Sequence, residues 1–218
     1  MSSWDAAYAD LIEWVPELLW PTSVTTYSMM RTDPQLRSVI QAYSLPIRRA
    51  AWSVDPTGCR PEVAAFVADN LGLTVLGDDT TRPRRGPVRF AEANRLAMLH
   101  LVFGHLPLEK VYDTSDGETA RLVRLAERMP QTIGAIKLDD HDDLVGIEQT
   151  PRLGGSMTMI PRSALVWFAH EREGGAWQGR SLLRDSYGAW LIKREMWRVN
   201  ATSLRRNGMG VPVVQAPP

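Results

Sequence analysis

The sequence predicts an α+β fold in which helices flank a small antiparallel strand meander and one long basic, aromatic helix closes the chain. Three observations carry that expectation. Apolar residues recur at three- and four-residue steps as far as Phe103, alternate with polar ones from Leu106 to Ile160, and return to helical spacing after Gly179. The alternating stretch is divided by short turn signals such as Asp116-Gly117. No repeat, low-complexity block or long linker interrupts the 218 residues, and 44% hydrophobic composition is enough for a real core, so one domain is expected over 32–212. An amphipathic arm over 1–31 and a short tail over 213–218 complete the chain.

In the arm, Trp4, Ala7, Leu11, Trp14, Val15 and Leu18 recur at helical steps before Pro16 and Pro21 interrupt. Trp4, Trp14 and Trp20 need burial, either on the arm's own domain or against another subunit, and are candidate subunit-interface residues. Asp33 is a good N-cap and Pro34 a good first residue for a helix with Leu36, Val39, Ile40, Tyr43 and Ile47 on one side, which Pro46 should kink or divide. Residues 51–55 alternate as a strand. Residues 61–71 form a short helix stopped by Gly72, with Val63, Phe66 and Val67 inward. Arg82, Arg84 and Arg85 fall in a Pro- and Gly-containing solvated loop over 80–87. A central apolar helix over 90–103 carries Leu96, Leu99, Leu101 and Val102 and closes at Gly104.

Strands are expected at 106–113, 119–127, 133–138, 144–149 and 157–160. The last helix is framed by Gly179 and Gly208, and Leu183, Tyr187, Trp190, Trp197, Ala201 and Leu204 repeat along it at helical spacing. It is also basic: Arg180, Arg184, Lys193, Arg194, Arg198, Arg205 and Arg206 stand against Asp185 and Glu195.

Composition excludes several classes. The 25 basic and 25 acidic residues cancel, so any attraction to a polyanion must be local. Such asymmetry exists, because residues 1–30 hold Asp5, Asp10, Glu13 and Glu17 with no Lys or Arg while the last segment is basic. The lone Cys59 permits no intrachain disulfide and no cysteine metal site, and suits a reducing cytoplasm. Neither a bilayer-length apolar run nor the pattern of a signal peptide is present, so no membrane association is expected. Asp139, Asp140, His141, Asp142 and Asp143 are the nearest approach to a cation site. Without the glycine and terminal glutamate of a calcium loop they read as a solvated hairpin tip. His100 reads as a core histidine, and His105 and His170 lack local partners. No phosphate loop, nucleophile elbow or His-Glu-x-x-His occurs, so neither catalysis nor a cofactor is expected.

Two motifs, in order, resemble tailed-bacteriophage portal proteins, the head-tail connectors. The later one is the Gly179-Arg-Ser-Leu-Leu-Arg184 run, an aromatic and Lys-containing helix, and a Gly-x-Pro end at Pro212. The earlier one spans Arg31 to Pro56, where an Asp-Pro and a helix precede an extended Trp-x-Val. The resemblance covers roughly 32–212, the amino-terminal wing portion of that family.

It implies a structural, non-enzymatic virion protein, assembled in the host cytoplasm. Such proteins form a homo-oligomeric ring, commonly of twelve subunits, at the capsid vertex through which double-stranded DNA is packaged and ejected without sequence specificity. Terminase, head-completion or adaptor proteins, and capsid or scaffold proteins are the implied partners. Family members continue past the Gly-x-Pro element into a stem, tunnel loop and crown, so a truncated form is expected. Arg194, Arg198, Arg205 and Arg206 are candidates for contact with DNA phosphates or a neighbouring subunit. The alternatives are a small nucleic-acid- or protein-binding module using the basic Trp-rich helix, and a metal hydrolase or nuclease using the acids of 139–143.

Overall fold

The computed structural model describes residues 13–78, 86–151 and 154–208. The chain divides into two compact units, Met1–Leu182 and Leu183–Pro218. The fold is α+β, as the change of period predicts.

In the first unit a 3-10 turn at Pro16–Leu18 leads into helix α1, Thr22–Met30. This helix is absent from the expectations because its apolar residues form no stripe. Ser23, Val24, Thr26, Tyr27 and Met30 are all buried, and hydroxyls enter because their hydrogen bonds are met locally: Thr26 Oγ1 donates to the Glu17 carbonyl at 2.8 Å. Helix α2, Pro34–Arg49, starts where expected, with the Asp33 carboxylate accepting from the Gln35 amide at 2.9 Å. It runs through Pro46 undivided. Its apolar side is largely uncovered, with Val39, Tyr43 and Ile47 exposed.

Strand β1, Ser53–Val54, pairs in parallel with β2, Thr74–Val75, around helix α3, Pro61–Leu71. Gly72 ends α3 at φ +66°, the left-handed C-cap. The expectation that Val63, Phe66 and Val67 point inward is corrected: all three are exposed, and Ala64, Ala68 and Asn70 are buried. Backbone approaches here too closely for bulk, since a Cβ on Gly86 would lie 2.4 Å from the Asp69 carbonyl oxygen. The buried Asn70 is fully used, donating to the Phe66 carbonyl at 2.7 Å and accepting from the Leu122 amide at 2.9 Å.

The expected helix over 90–103 is two: α4, Phe90–Ala97, and α5, His100–Phe103, broken at Met98–Leu99 and ended by Gly104 at φ +86°. Leu101, Val102 and Phe103 are buried.

The strands also rearrange the simple meander. β3, His105–Asp113, lies between β4, Arg121–Glu127, and β8, Leu165–Ala169, antiparallel to both. β5, Ile133–Leu138, β6, Leu144–Gln149, and β7, Thr158–Pro161, form a separate three-stranded meander. β8 was not anticipated. Its Leu-Val-Trp-Phe-Ala run is apolar on both faces and lacks the alternation that marks a half-buried strand. Two cores result, the second shared between the sheets through Leu165 and Trp167 of β8. Ala93, Leu106 and Leu108 pack under Leu96, Leu99 and Phe168, while Ile133, Ile147, Ile160 and Leu165 pack under Trp20 and Trp167.

The segment after β8 folds back on the α5–β3 junction. His170 N donates to the Gly104 carbonyl and Arg180 N to the His170 carbonyl, both at 2.8 Å, and the Ser181 hydroxyl donates to the Val102 carbonyl. Gly179, expected to open the last helix, instead lies in this turn at φ +59°. In the second unit a 3-10 turn at Arg184–Ser186 leads into α6, Tyr187–Asn207, with Gly208 at its C-cap as expected.

Candidate interaction surfaces

Three surfaces hold the charged and aromatic residues that matter. The first is α6. Arg194, Arg198 and Arg205 fall on one side, because steps of four and seven residues return to nearly the same angle at 3.6 residues per turn. Arg206 sits about a quarter turn or more away. These four do not offer equal charge. The Arg194 guanidinium lies 4.6 Å from the centroid of the Trp190 ring, a cation-π contact that still leaves it facing solvent. Arg198 grips Glu195 with two hydrogen bonds, at 3.0 and 2.6 Å, and Arg198 holds that carboxyl below its usual range. No hydrogen bond or ion pair engages Arg205 or Arg206 among the described residues.

All side chains from Arg194 to Arg206 are exposed. Trp197 is 71% exposed and Leu204 73%, so the second half of the expected aromatic stripe is not packed. Met196 and Val199 are also exposed, and with Ile192 they project from the side opposite Ala201 and Arg194. The helix is therefore apolar on two opposed faces with arginines between them.

The second surface is the arm. Trp4 lies outside the described residues. Trp14 is 81% exposed. Trp20 is half-buried on the chain's own Ile133–Ile147–Ile160 core.

The third was not anticipated. Between the C-terminal end of α2 and the start of α4 runs a cleft of about 820 Å³, lined by Arg48, Trp52, Arg89, Phe90 and Asn94 among others. A second hollow of about 520 Å³ shares Arg48, Arg89 and Ala91 with it and adds Leu45, Arg49, Glu92 and Arg95. The Trp52 and Phe90 rings meet at 5.5 Å, tilted by 59°, and Trp52 Nε1 donates to the Ile47 carbonyl at 3.1 Å. Trp52 is thus fixed in orientation while 46% exposed. Arg95 holds Glu92, with Nε 2.9 Å from Oε2, and this contact, with Arg48 and Arg89 nearby, keeps the Glu92 carboxyl below its usual range. Arg48, Arg49 and Arg89 remain as net positive charge on the groove. No local motif announces it, because the arginines come from segments about forty residues apart.

The acids of 139–143 form the β5–β6 hairpin tip. Asp139 Oδ1 accepts from the amides of His141 and Asp143, both at 2.9 Å, which lowers its pKa. Among the described residues no group of three or more His, Cys, Asp or Glu side chains could hold a metal ion. Arg82, Arg84 and Arg85 lie outside the described residues. No helix among the described residues is long and apolar enough to cross a membrane.

Comparison with curated proteins finds no match. Comparison with protein families matches residues 24–218, most of the chain, to the family described as portal protein of Mu bacteriophage. Both motifs of the sequence resemblance fall inside that span, and the Gly-x-Ser-Leu-Leu element has a visible task, fastening the segment before α6 onto the α5–β3 junction. The chain belongs to the phage portal protein family.

Proposed function

We propose that this chain is a wing-type structural subunit of a portal ring at a capsid vertex, through which double-stranded DNA passes during packaging and ejection. The observation that carries the reading is α6. A helix with exposed apolar residues on two opposed faces suits a subunit held between two neighbours, since a closed ring repeats one heterologous contact and each copy must present two different surfaces. An isolated monomer gains nothing from such exposure. The role is structural rather than enzymatic, and terminase, adaptor and capsid or scaffold proteins are the partners such a ring would meet. Arg205 and Arg206, with Arg194 and Arg198 beside them, are the residues we assign to DNA phosphates or to acids of the next subunit. Trp14 is assigned to a subunit contact.

Light scattering with electron microscopy of the purified chain tests this. Large rings or open arcs are expected, and Trp197→Glu and Val199→Glu, on opposite faces of α6, should each dissolve them while the circular dichroism spectrum is kept. A wild-type chain that stays monomeric at high micromolar concentration sinks the reading and leaves a small binding module in its place.

A further inference from the structure

The groove between α2 and α4 reaches the core at Val88, yet most of its lining is charged or exposed and is not accounted for by packing or by α6. Its floor is aromatic and apolar, from Trp52, Phe90 and Leu45, and its rim carries Arg48, Arg49 and Arg89, while its one glutamate among the described lining residues is already held by Arg95. Two merging hollows make an elongated site, which suits an extended segment better than a compact small molecule. The occupant must combine carboxylates with large apolar side chains. Duplex DNA supplies the charge but no groups for an aromatic floor.

The chain itself contains a segment of that composition. Residues 1–14 hold Trp4, Asp5, Tyr8, Asp10, Leu11, Glu13 and Trp14 with no Lys or Arg. From the described portion, Trp14 enters at 81% exposure, so the aromatic character of the segment is not absorbed there. None of the residues 13–31 lines the groove. The start of α2, where α1 hands over the chain, lies about 24 Å from the groove end of α2, from 1.5 Å of rise per residue.

We infer that the groove receives the acidic, tryptophan-bearing N-terminal segment of a neighbouring copy of this chain, linking subunits by exchange of their arms. The acids sit on Arg48, Arg49 and Arg89, and an aromatic side chain lies against Trp52 and Phe90. Contacts of this kind combine charge steering with a desolvated aromatic anchor. The inference rests on the ring reading only in that copies must come together.

The test uses full-length chains carrying Cys59→Ser. One population carries Ala6→Cys and the other Ala91→Cys at the groove. Mixing under mild oxidation should give a covalent dimer between the two populations. Arg48→Glu with Arg89→Glu in the groove population should lower its yield at least tenfold, and Asp5→Arg with Asp10→Arg in the other population should restore it. A labelled peptide of residues 1–14 gives a second readout that needs neither assembly nor cross-linking. It should bind the full-length chain, weaken as salt is raised, and bind the Arg48→Glu, Arg89→Glu chain at least tenfold less well.

Three outcomes would overturn the inference: no disulfide between the two populations while a separate chain carrying both Ala6→Cys and Ala91→Cys closes one within itself, peptide binding indifferent to the groove arginines, or displacement of the peptide only by single-stranded oligothymidylate acting as the true occupant. Light scattering on the same samples separates the two proposals. Rings that persist without the cross-link leave the portal reading standing and remove arm exchange. Cross-linked dimers with no larger assembly do the reverse, and a chain that stays monomeric removes both.

Discussion

At the scale of the residue, the most consequential side chain is His105, which the sequence left without a role. It is fully buried at the start of β3, its ring stacked on Trp167 at 5.5 Å and 6°. Nδ1 donates to the Gln178 carbonyl at 2.9 Å, so Nε2 is the unprotonated nitrogen, and it accepts no hydrogen bond among the described residues. Burial pulls its pKa from 6.5 down to about 4. A depressed histidine contributes fully to stability above its unfolded value, and the contribution is lost as pH falls, because the unfolded chain takes up the proton first. Between pH 6.5 and about 4 the native state should therefore lose about 3 kcal/mol from this group alone. Urea denaturation at pH 7 and at pH 4.5 checks it. His105→Asn, which keeps a donor for Gln178, should be less stable at pH 7 but should flatten the slope over that window. An unchanged slope in the variant removes the assignment. Asp139 and Asp116, whose pKa values are lowered by hydrogen bonds, act in the same direction at more acid pH and are common to both proteins.

At the scale of the element, the junction of α5 and β3 with the turn before α6 depends on two glycines meeting back to back. A Cβ on Gly104 would lie 2.4 Å from the Gln178 carbonyl oxygen, and one on Gly179 would lie 2.3 Å from the Gly104 oxygen and 2.7 Å from that of His170. The obstacles are backbone, so no side chain can swing aside, and both residues have positive φ. Gly179→Ala should cost about 2–4 kcal/mol, the sum of overpacking and backbone strain. Gly58→Ala, with φ +78° and open space, isolates the strain alone and should cost about 1 kcal/mol. Equal urea midpoints for the two variants would refute the clamp. Elements with strong local signals were legible: the Asp33 cap, the Gly72 stop, the β5–β6 hairpin and the Gly208 end of α6. The inward face of α3 was misread because hydrophobicity favours Val63, Phe66 and Val67, whereas the buried positions are Ala64, Ala68 and Asn70, the last made burial-compatible by its hydrogen bonds to Phe66 and Leu122. β8 and α1 were missed because neither carries a periodic apolar pattern: β8 is apolar at every position, and the buried positions of α1 mix serine and threonine with apolar residues.

At the scale of the whole molecule, zero net charge confines any polyanion binding to local patches, and α6 is the strongest one the sequence announces. Glu195 engages Arg198 and Trp190 faces Arg194, so Arg205 and Arg206 should dominate any contact with phosphates. Each phosphate neutralised contributes roughly 0.9 to the slope of log affinity against log salt, so Arg205→Ala with Arg206→Ala should reduce that slope by about 2 per bound subunit, equally for unrelated sequences. Filter binding of duplex DNA over a salt series measures it, and a slope untouched by the double variant assigns these arginines to protein contacts instead. From the sequence alone came the α+β class, the basic aromatic last helix, the charge asymmetry between the ends and the family resemblance, because periodicity, capping and short motifs are local properties. Tertiary structure alone decided the division of strands into two sheets, the glycine clamp, the open second half of α6 and the Arg48–Arg89 groove. Those depend on which distant backbones approach and which faces remain uncovered, and neither is written in the spacing of residues along a chain.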